Sequence, residues 1–218
     1  MSRRKREVTR LSVALQLQLG RREAAEAPDA DARLVERYLR GDVQAFEILF
    51  RKHQSYAFNV AYGLLGNAED AADVTQEAFL RVHRNMERFR GESSFTTWLY
   101  RVVVNLAITE LRRRTRSRTQ LMEDIAPPEA WRAEEEAADA PALHLELGHE
   151  RETVQRVLRH LPPDYRAVLV LRHFQQLAYE EMCQVLGLTM SQVKTRLHRA
   201  RRMFRERYQA LTEAPDAL

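Results

Sequence analysis

The chain has one cysteine in 218 residues, Cys183, which rules out an internal disulfide framework and any C-x-x-C zinc or redox pair. Glycine and proline number seven each and β-branched runs are few, so the composition points away from sheet and toward an all-α protein. No apolar run approaches the roughly 20 residues of a membrane span, and no membrane insertion is expected. The opening MSRRKREVTRLSVALQLQLGRR resembles a signal peptide only superficially. Gln16 and Gln18 interrupt its apolar patch and no small-residue cleavage site follows. Residues 1–30 read instead as a basic, disordered arm. A glycine-rich phosphate loop is missing, and His144 and His149 beside Glu146 and Glu150 match no metal pattern. No catalytic residue, metal or cofactor is assigned, an enzyme is not expected, and Cys183 reads as a structural thiol. A reducing cytoplasm is the expected setting.

What the chain does have is 44% hydrophobic residues, enough for real cores, and a net charge of +4 that is segregated along its length. Residues 101–118 are strongly basic, residues 121–150 carry nine acids against one arginine, and residues 194–207 are basic again. Two basic modules therefore flank an acidic connector. Helix signals divide the first module into four. A helix from about Asp31 closes at Gly41, and Asp42 caps a second that ends at Gly66. Asn67 caps a third, with Glu69 and Asp70 in its first turn, and a fourth follows the loop MERFRGESS. Residues 31–115 are expected to form a four-helix bundle. From 116 to 149 periodicity fades and prolines and acids accumulate, as in a flexible linker. Residues 150–211 predict four more helices, and 212–218 a tail.

Three constellations carry chemistry. In the last module YEEMCQVLG, a turn, and TMSQVKTRLHRARRMFRERY have the form of a helix-turn-helix, whose second helix can enter a major groove. Thr189 and Gln192 fit a capping box. Val193, Leu197 and Ala200 can pack inward, leaving Gln192, Lys194, Thr195, Arg196, His198, Arg199 and Arg201 as donors for bases and phosphates. In SSFTTWLYRVVVNLAITELRRR, Phe95, Trp98, Leu99, Val102 and Leu106 form one helical face and Thr97, Arg101, Asn105 and Arg112 the other. With the preceding loop this stretch offers Phe89, Arg90, Ser93, Ser94, Trp98, Tyr100, Arg101 and Asn105. Aromatics there can stack on unpaired bases, and hydroxyls, amide and guanidinium can bond base edges and phosphate. In EDAADVTQEAFLRV, Asp73, Gln76, Glu77 and Leu80 line one face and Ala71, Val74, Ala78 and Val82 another, so the acidic stripe can dock a basic helix. A free-standing helix-turn-helix dimer would instead require half-site symmetry, and a nucleic-acid-modifying enzyme would require a metal or nucleophile constellation.

Taken together, DAADVTQEAFLRV, RFRGESSFTTWLYRVVVN and LPPDYRAVLVLRHFQQLAYEEMCQVLGLTMSQVKTRLHRAR, in this order, resemble the hallmark segments of bacterial sigma factors of the extracytoplasmic-function group. The resemblance implies a promoter-melting domain 2 and a helix-turn-helix domain 4 joined by the acidic linker. It implies that Asp73, Gln76, Glu77 and Leu80 bind the clamp-helix coiled coil of the largest subunits of core RNA polymerase. Phe89, Arg90, Ser93, Ser94, Trp98, Tyr100, Arg101 and Asn105 would capture the non-template single strand of the minus-ten element. Gln192, Lys194, Thr195, Arg196, His198, Arg199 and Arg201 would read the duplex minus-thirty-five element. An anti-sigma protein is an expected partner. Ala178 departs from the pattern, standing where a serine often caps the first helix of the turn motif.

Overall fold

The computed structural model describes residues 28–123 and 145–213, with side chains for 30–114 and 151–212. The arm before residue 28, the linker core at 124–144 with His144, the side chains of Glu146, His149 and Glu150, and the tail after 213 lie outside that description. The described residues are helical, as the composition predicts. The first body contains α1 (Pro28–Leu39), α2 (Val43–Leu65), α3 (Ala68–Arg84), a 3-10 turn (Met86–Arg88) and α4 (Phe95–Glu123). The second contains α5 (Leu145–Arg159), α6 (Pro163–Leu169), a π-helical turn (Val170–Phe174), α7 (Tyr179–Leu186) and α8 (Met190–Glu213).

Local signals set most boundaries. Asp42 accepts from the Gln44 amide at 3.1 Å to start α2, and its other oxygen takes Arg37 at 2.7 Å, fastening the end of α1 across the turn. Asn67 starts α3 by accepting from the Asp70 amide at 3.1 Å. α1 is pinned to α2 by Asp31, which meets His53 at 2.9 Å and Lys52 at 3.1 Å. Burial works against the Asp31 carboxylate, but these two partners outweigh it and hold its pKa below the ordinary value.

α4 departs from expectation twice. It continues past residue 115 to Glu123 although its arginines repel one another. Glu110 relieves that repulsion: it takes Arg113 at 2.8 and 2.9 Å and Arg114 at 2.9 Å, the i+3 and i+4 neighbours that a helix brings together. These bonds hold the Glu110 pKa down at about 2. Arg114 also reaches Asp70 at the start of α3. Second, the buried apolar residues of α4 are Phe95, Leu99, Tyr100, Val103, Val104 and Ala107, whereas Val102 and Leu106 are half-buried, and Thr96 and Thr97 are buried as well. The two-faced helix expected from the sequence is thus corrected to one covered on two sides, by α2 and α3 and by the second body.

That second cover joins the bodies. α7 packs on α4, and α5, α6 and the π turn pack on α2. Gly63 of α2 faces Val170, where a β-carbon on Gly63 would lie 3.0 Å from both γ-carbons. Arg166 of α6 is buried between them, donating to the carbonyls of Leu64, of Arg159 at 2.7 Å and of Leu161 at 3.1 Å. Burial, with the nearby Arg159 charge, lowers its pKa to about 10, so it remains a cation at neutral pH. Tyr100 donates to Gln175 Oε1 at 2.9 Å, and Arg101 Nε to the Gln184 carbonyl of α7 at 2.9 Å.

Candidate nucleic-acid interface

The turn motif forms as its residues dictate. α7 ends at Gly187 with φ +64°, and open space surrounds that position, so glycine is there for its backbone conformation and not for room. The amides of Gly187 and Leu188 both point to the Cys183 carbonyl. α8 opens with the expected reciprocal cap: Thr189 N–H to Gln192 Oε1 at 2.8 Å and Gln192 N–H to Thr189 Oγ1 at 3.3 Å. Ala178 cannot cap α7, but Glu181 reaches back to its amide at 2.8 Å and supplies half of the missing box.

Val193, Leu197 and Ala200 are buried against the second body's core, while Gln192, Lys194, Thr195, His198, Arg199 and Arg201 are exposed. Three of the expected readers have internal work. Gln192 holds the cap, Arg196 is half-buried 3.5 Å from Asp164, and Arg201 Nε donates to His173 Nε2 at 3.3 Å. Burial first, then the charges of Arg201 and Arg172, push the His173 pKa down to about 4, so the imidazole is neutral and can accept. The loop leading to α7 is set by Arg172, which donates to the Leu177 carbonyl at 2.6 Å and lies 5.0 Å over the Tyr179 ring.

The α3 stripe is a surface. Asp73, Gln76 and Leu80 are exposed and Glu77 is half-buried, paired with Arg81 at 2.7 Å, while Ala71, Val74, Ala78 and Val82 are core. Gln76 also lines an open groove of about 600 Å³ between α2 and α3, walled by Phe50, Phe58 and Ala72.

Around the start of α4 three aromatics interlock. Phe89 lies 5.1 Å from Trp98 and 6.4 Å from Phe95 between ring centres, and Phe95 is core, also packed on His53. Phe89 and Trp98 are half-buried; Arg90, Arg101 and Asn105 are exposed and Ser93 half-buried. Ser94 is the N-cap of α4, its hydroxyl accepting from the Thr97 amide at 3.1 Å. Tyr100 requires a correction. It is fully buried with its hydroxyl on Gln175, so this packing does not bring it together with the other residues of the set. Sequence spacing gave no sign of Arg166, Gln175 or the Asp70–Arg114 tie, whose partners lie 102, 75 and 44 positions away.

Among the described residues no group of three or more His, Cys, Asp and Glu could hold a metal, and no helix is long and apolar enough to cross a membrane.

Comparison with known proteins joins these surfaces. Residues 49–117 match Sigma-70 region 2 and residues 151–204 match Sigma-70 region 4, so α3 and α4 fall in the first and the turn motif in the second. The RNA polymerase sigma-H factor of Pseudomonas aeruginosa is 34% identical over 177 residues, covering 79% of this chain and 91% of that one. The ECF RNA polymerase sigma factor SigW of Bacillus subtilis is 31% identical, covering 79% and 93%. The ECF sigma-E factor of Haemophilus influenzae is 33% identical, covering 83% and 96%. CnrH in complex with the cytosolic domain of CnrY has the same fold, with a TM-score of 0.58 and 24% identity over 85% of this chain and 98% of that one. RpoE with the anti-sigma factor NepR from Bartonella quintana also has it, with a TM-score of 0.58 and 20% identity over 77% and 98%. With both regions present in order and relatives matched over nine-tenths of their length, the chain belongs to the extracytoplasmic-function sigma factors.

Proposed function

We propose that this protein carries core RNA polymerase to a specific set of promoters and helps to melt them. The stripe of Asp73, Gln76, Glu77 and Leu80 docks on the clamp-helix coiled coil of the largest polymerase subunits. The α8 face from Gln192 to Arg201 reads the duplex minus-thirty-five element. Phe89 and Trp98, flanked by Arg90, Ser93, Ser94, Arg101 and Asn105, hold the non-template strand of the minus-ten element as it unpairs. The observation that carries the reading is Leu80, 45% exposed within a polar stripe on a helix whose other face is core. Burying that leucine against a partner is favourable, and a regulator acting alone on duplex DNA has no need of a second bundle bearing such a stripe.

In this reading the polymerase forms the bonds and the chain performs no chemistry. It acts in the cytoplasm, where polymerase and DNA are. An anti-sigma protein is a further partner; CnrH and RpoE, which share the fold, are each seen with a bound protein, CnrY and NepR.

The test is transcription by bacterial core polymerase over a genomic promoter library, with start sites sequenced with and without the protein. New starts sharing two spaced motifs are expected. No new starts, together with protection of a symmetric duplex site by the protein alone, would overturn the reading in favour of a dimeric regulator.

A further inference from the structure

We infer that Asp31 of α1 and His53 of α2 are positioning residues for strand capture: the buried pair fixes the imidazole on which Phe95 rests, and through Phe95 it holds Phe89 and Trp98 in place to receive unpaired bases. This rests on the promoter reading above and extends its machinery to α1, which lies before the residues that match Sigma-70 region 2.

The contacts run in one line. The His53 ring lies 5.3 Å from the Phe95 ring between centres, and Phe95 lies 6.2 Å from Trp98 and 6.4 Å from Phe89. Phe95 is the first residue of α4, where the loop carrying Phe89 enters the helix. Its position therefore sets both the loop aromatic and the helix aromatic. Behind it the imidazole is 4% exposed, and the last torsion of a histidine side chain is only broadly set by its own sterics. A hydrogen bond has to choose the orientation. Burial raises the Asp31 pKa, but His53 and Lys52 together lower it further, so the carboxylate is ionised at neutral pH and only accepts. His53 Nε2 thus donates to Asp31 Oδ2 at 2.9 Å. Nδ1 is buried with no hydrogen-bond partner among the described residues, so hydrogen bonding orients the ring through Asp31.

A purely adhesive role fits this pair poorly. α1 already has an apolar anchor on the same core in Val35, which is buried. A buried polar pair is a weak source of stability, since apolar residues of similar volume commonly serve as well. What it adds is direction. Lys52, 3.1 Å from Asp31 Oδ1, occupies the other carboxylate oxygen and leaves Oδ2 to His53.

Promoter opening by the full chain with core polymerase tests this. Asp31→Leu with His53→Leu replaces the pair by apolar groups and lets α1 keep its packing on α2. Asp31→Asn keeps an oxygen that can accept from Nε2. Each is made in a Trp131→Phe background, so that fluorescence reports Trp98, the other of the two tryptophans. The double variant is expected to keep its helical circular dichroism and its affinity for core polymerase and duplex promoter. It should open the bound promoter about tenfold more slowly, as for aromatics in place about a tenth of the time, and Trp98 should be more readily quenched by acrylamide. Asp31→Asn should recover most of both. Opening and quenching equal to those of the Trp131→Phe parent would overturn the inference. So would slow opening with unchanged quenching, because the effect would then bypass the aromatics. Should the double variant lose helicity, His53→Leu alone, with Lys52 still on Asp31, is judged by the same two readouts. If the parent itself opens no promoter, the promoter reading fails, while Trp98 quenching still decides whether Asp31 and His53 hold the aromatics.

Discussion

The Arg166 guanidinium and the Leu64 carbonyl, 102 positions apart in the chain, meet where α2 ends, and the same guanidinium closes the end of α5 through Arg159 and Leu161. A cation at the carbonyl ends of two helices is favoured by both dipoles, which is how a buried arginine without a carboxylate in its hydrogen-bond set is tolerated. Replacing Arg166 with Met keeps the apolar volume and removes every donor, leaving three carbonyls short of partners. Such a change is expected to lower stability by about 1–3 kcal/mol, read as a shift of the urea midpoint. An unchanged midpoint would show that water replaces the guanidinium without loss.

His173 gives the fold a pH dependence of definite sign. The unfolded chain protonates this imidazole near pH 6.5, the folded chain only near pH 4. Its contribution is complete above pH 6.5, and as pH falls from 6.5 toward 4 unfolding takes up a proton and stability declines. The Arg201 bond is lost with it, since an imidazolium cannot accept. Urea midpoints of the unmodified chain and of His173→Gln, compared at pH 7.0, 5.5 and 4.5, should diverge, with the variant losing less over this interval. Parallel profiles would mean that His173 titrates alike in both states.

Gln176 is the one non-glycine residue among those described with positive φ, at 54°, in the loop before α7. Left-handed backbone costs a side-chain-bearing residue roughly 1 kcal/mol. Gln176→Gly is expected to raise stability by about 0.5–1 kcal/mol, measured by thermal or urea unfolding. Destabilisation instead would show that the Gln176 side chain contributes contacts that outweigh its backbone.

On the α3 stripe, Gln76→Ala with Glu77→Ala should weaken assembly with core polymerase by about tenfold, of the order of 1.4 kcal/mol, with circular dichroism unaltered. Size-exclusion or fluorescence binding measures it. Assembly at unchanged affinity would remove this stripe from the docking surface.

The two DNA surfaces should separate in assay. Phe89→Ala removes one stacking platform, worth about 1–3 kcal/mol, and should slow promoter opening, followed with a fluorescent base at minus ten, while leaving assembly intact. Arg199→Ala should weaken closed-complex binding at minus thirty-five and leave opening of the bound promoter unchanged. A swap of these phenotypes would reverse the assignments.

What could be read from the sequence divides by range. Caps at Asp42, Asn67 and Thr189, the stop at Gly187 and the buried trio Val193, Leu197 and Ala200 each depend on neighbours within one or two turns, and each forms as read. The α3 stripe was equally legible, because its period is that of a helix with one core face. Periodicity misleads at α4, where a second body covers another side. Thr97 and Tyr100 are buried for reasons that no 3.6-residue pattern contains. Arg166 was invisible for the same reason: an arginine in LPPDYRAVLV reads as surface until the ends of two helices are brought to it.

The tie of Glu110 to Arg113 and Arg114, with Asp70 also on Arg114, bears on how DNA binding should respond to salt. Log affinity falls with log salt concentration in proportion to the phosphates neutralised, through the counterions they release. An arginine already paired with a carboxylate must give up that partner to meet a phosphate. The basic end of α4 should therefore contribute a shallower slope than its number of arginines implies, with Arg112 the least compensated of its three consecutive arginines. Removing Glu110 would steepen that slope without adding a single positive charge.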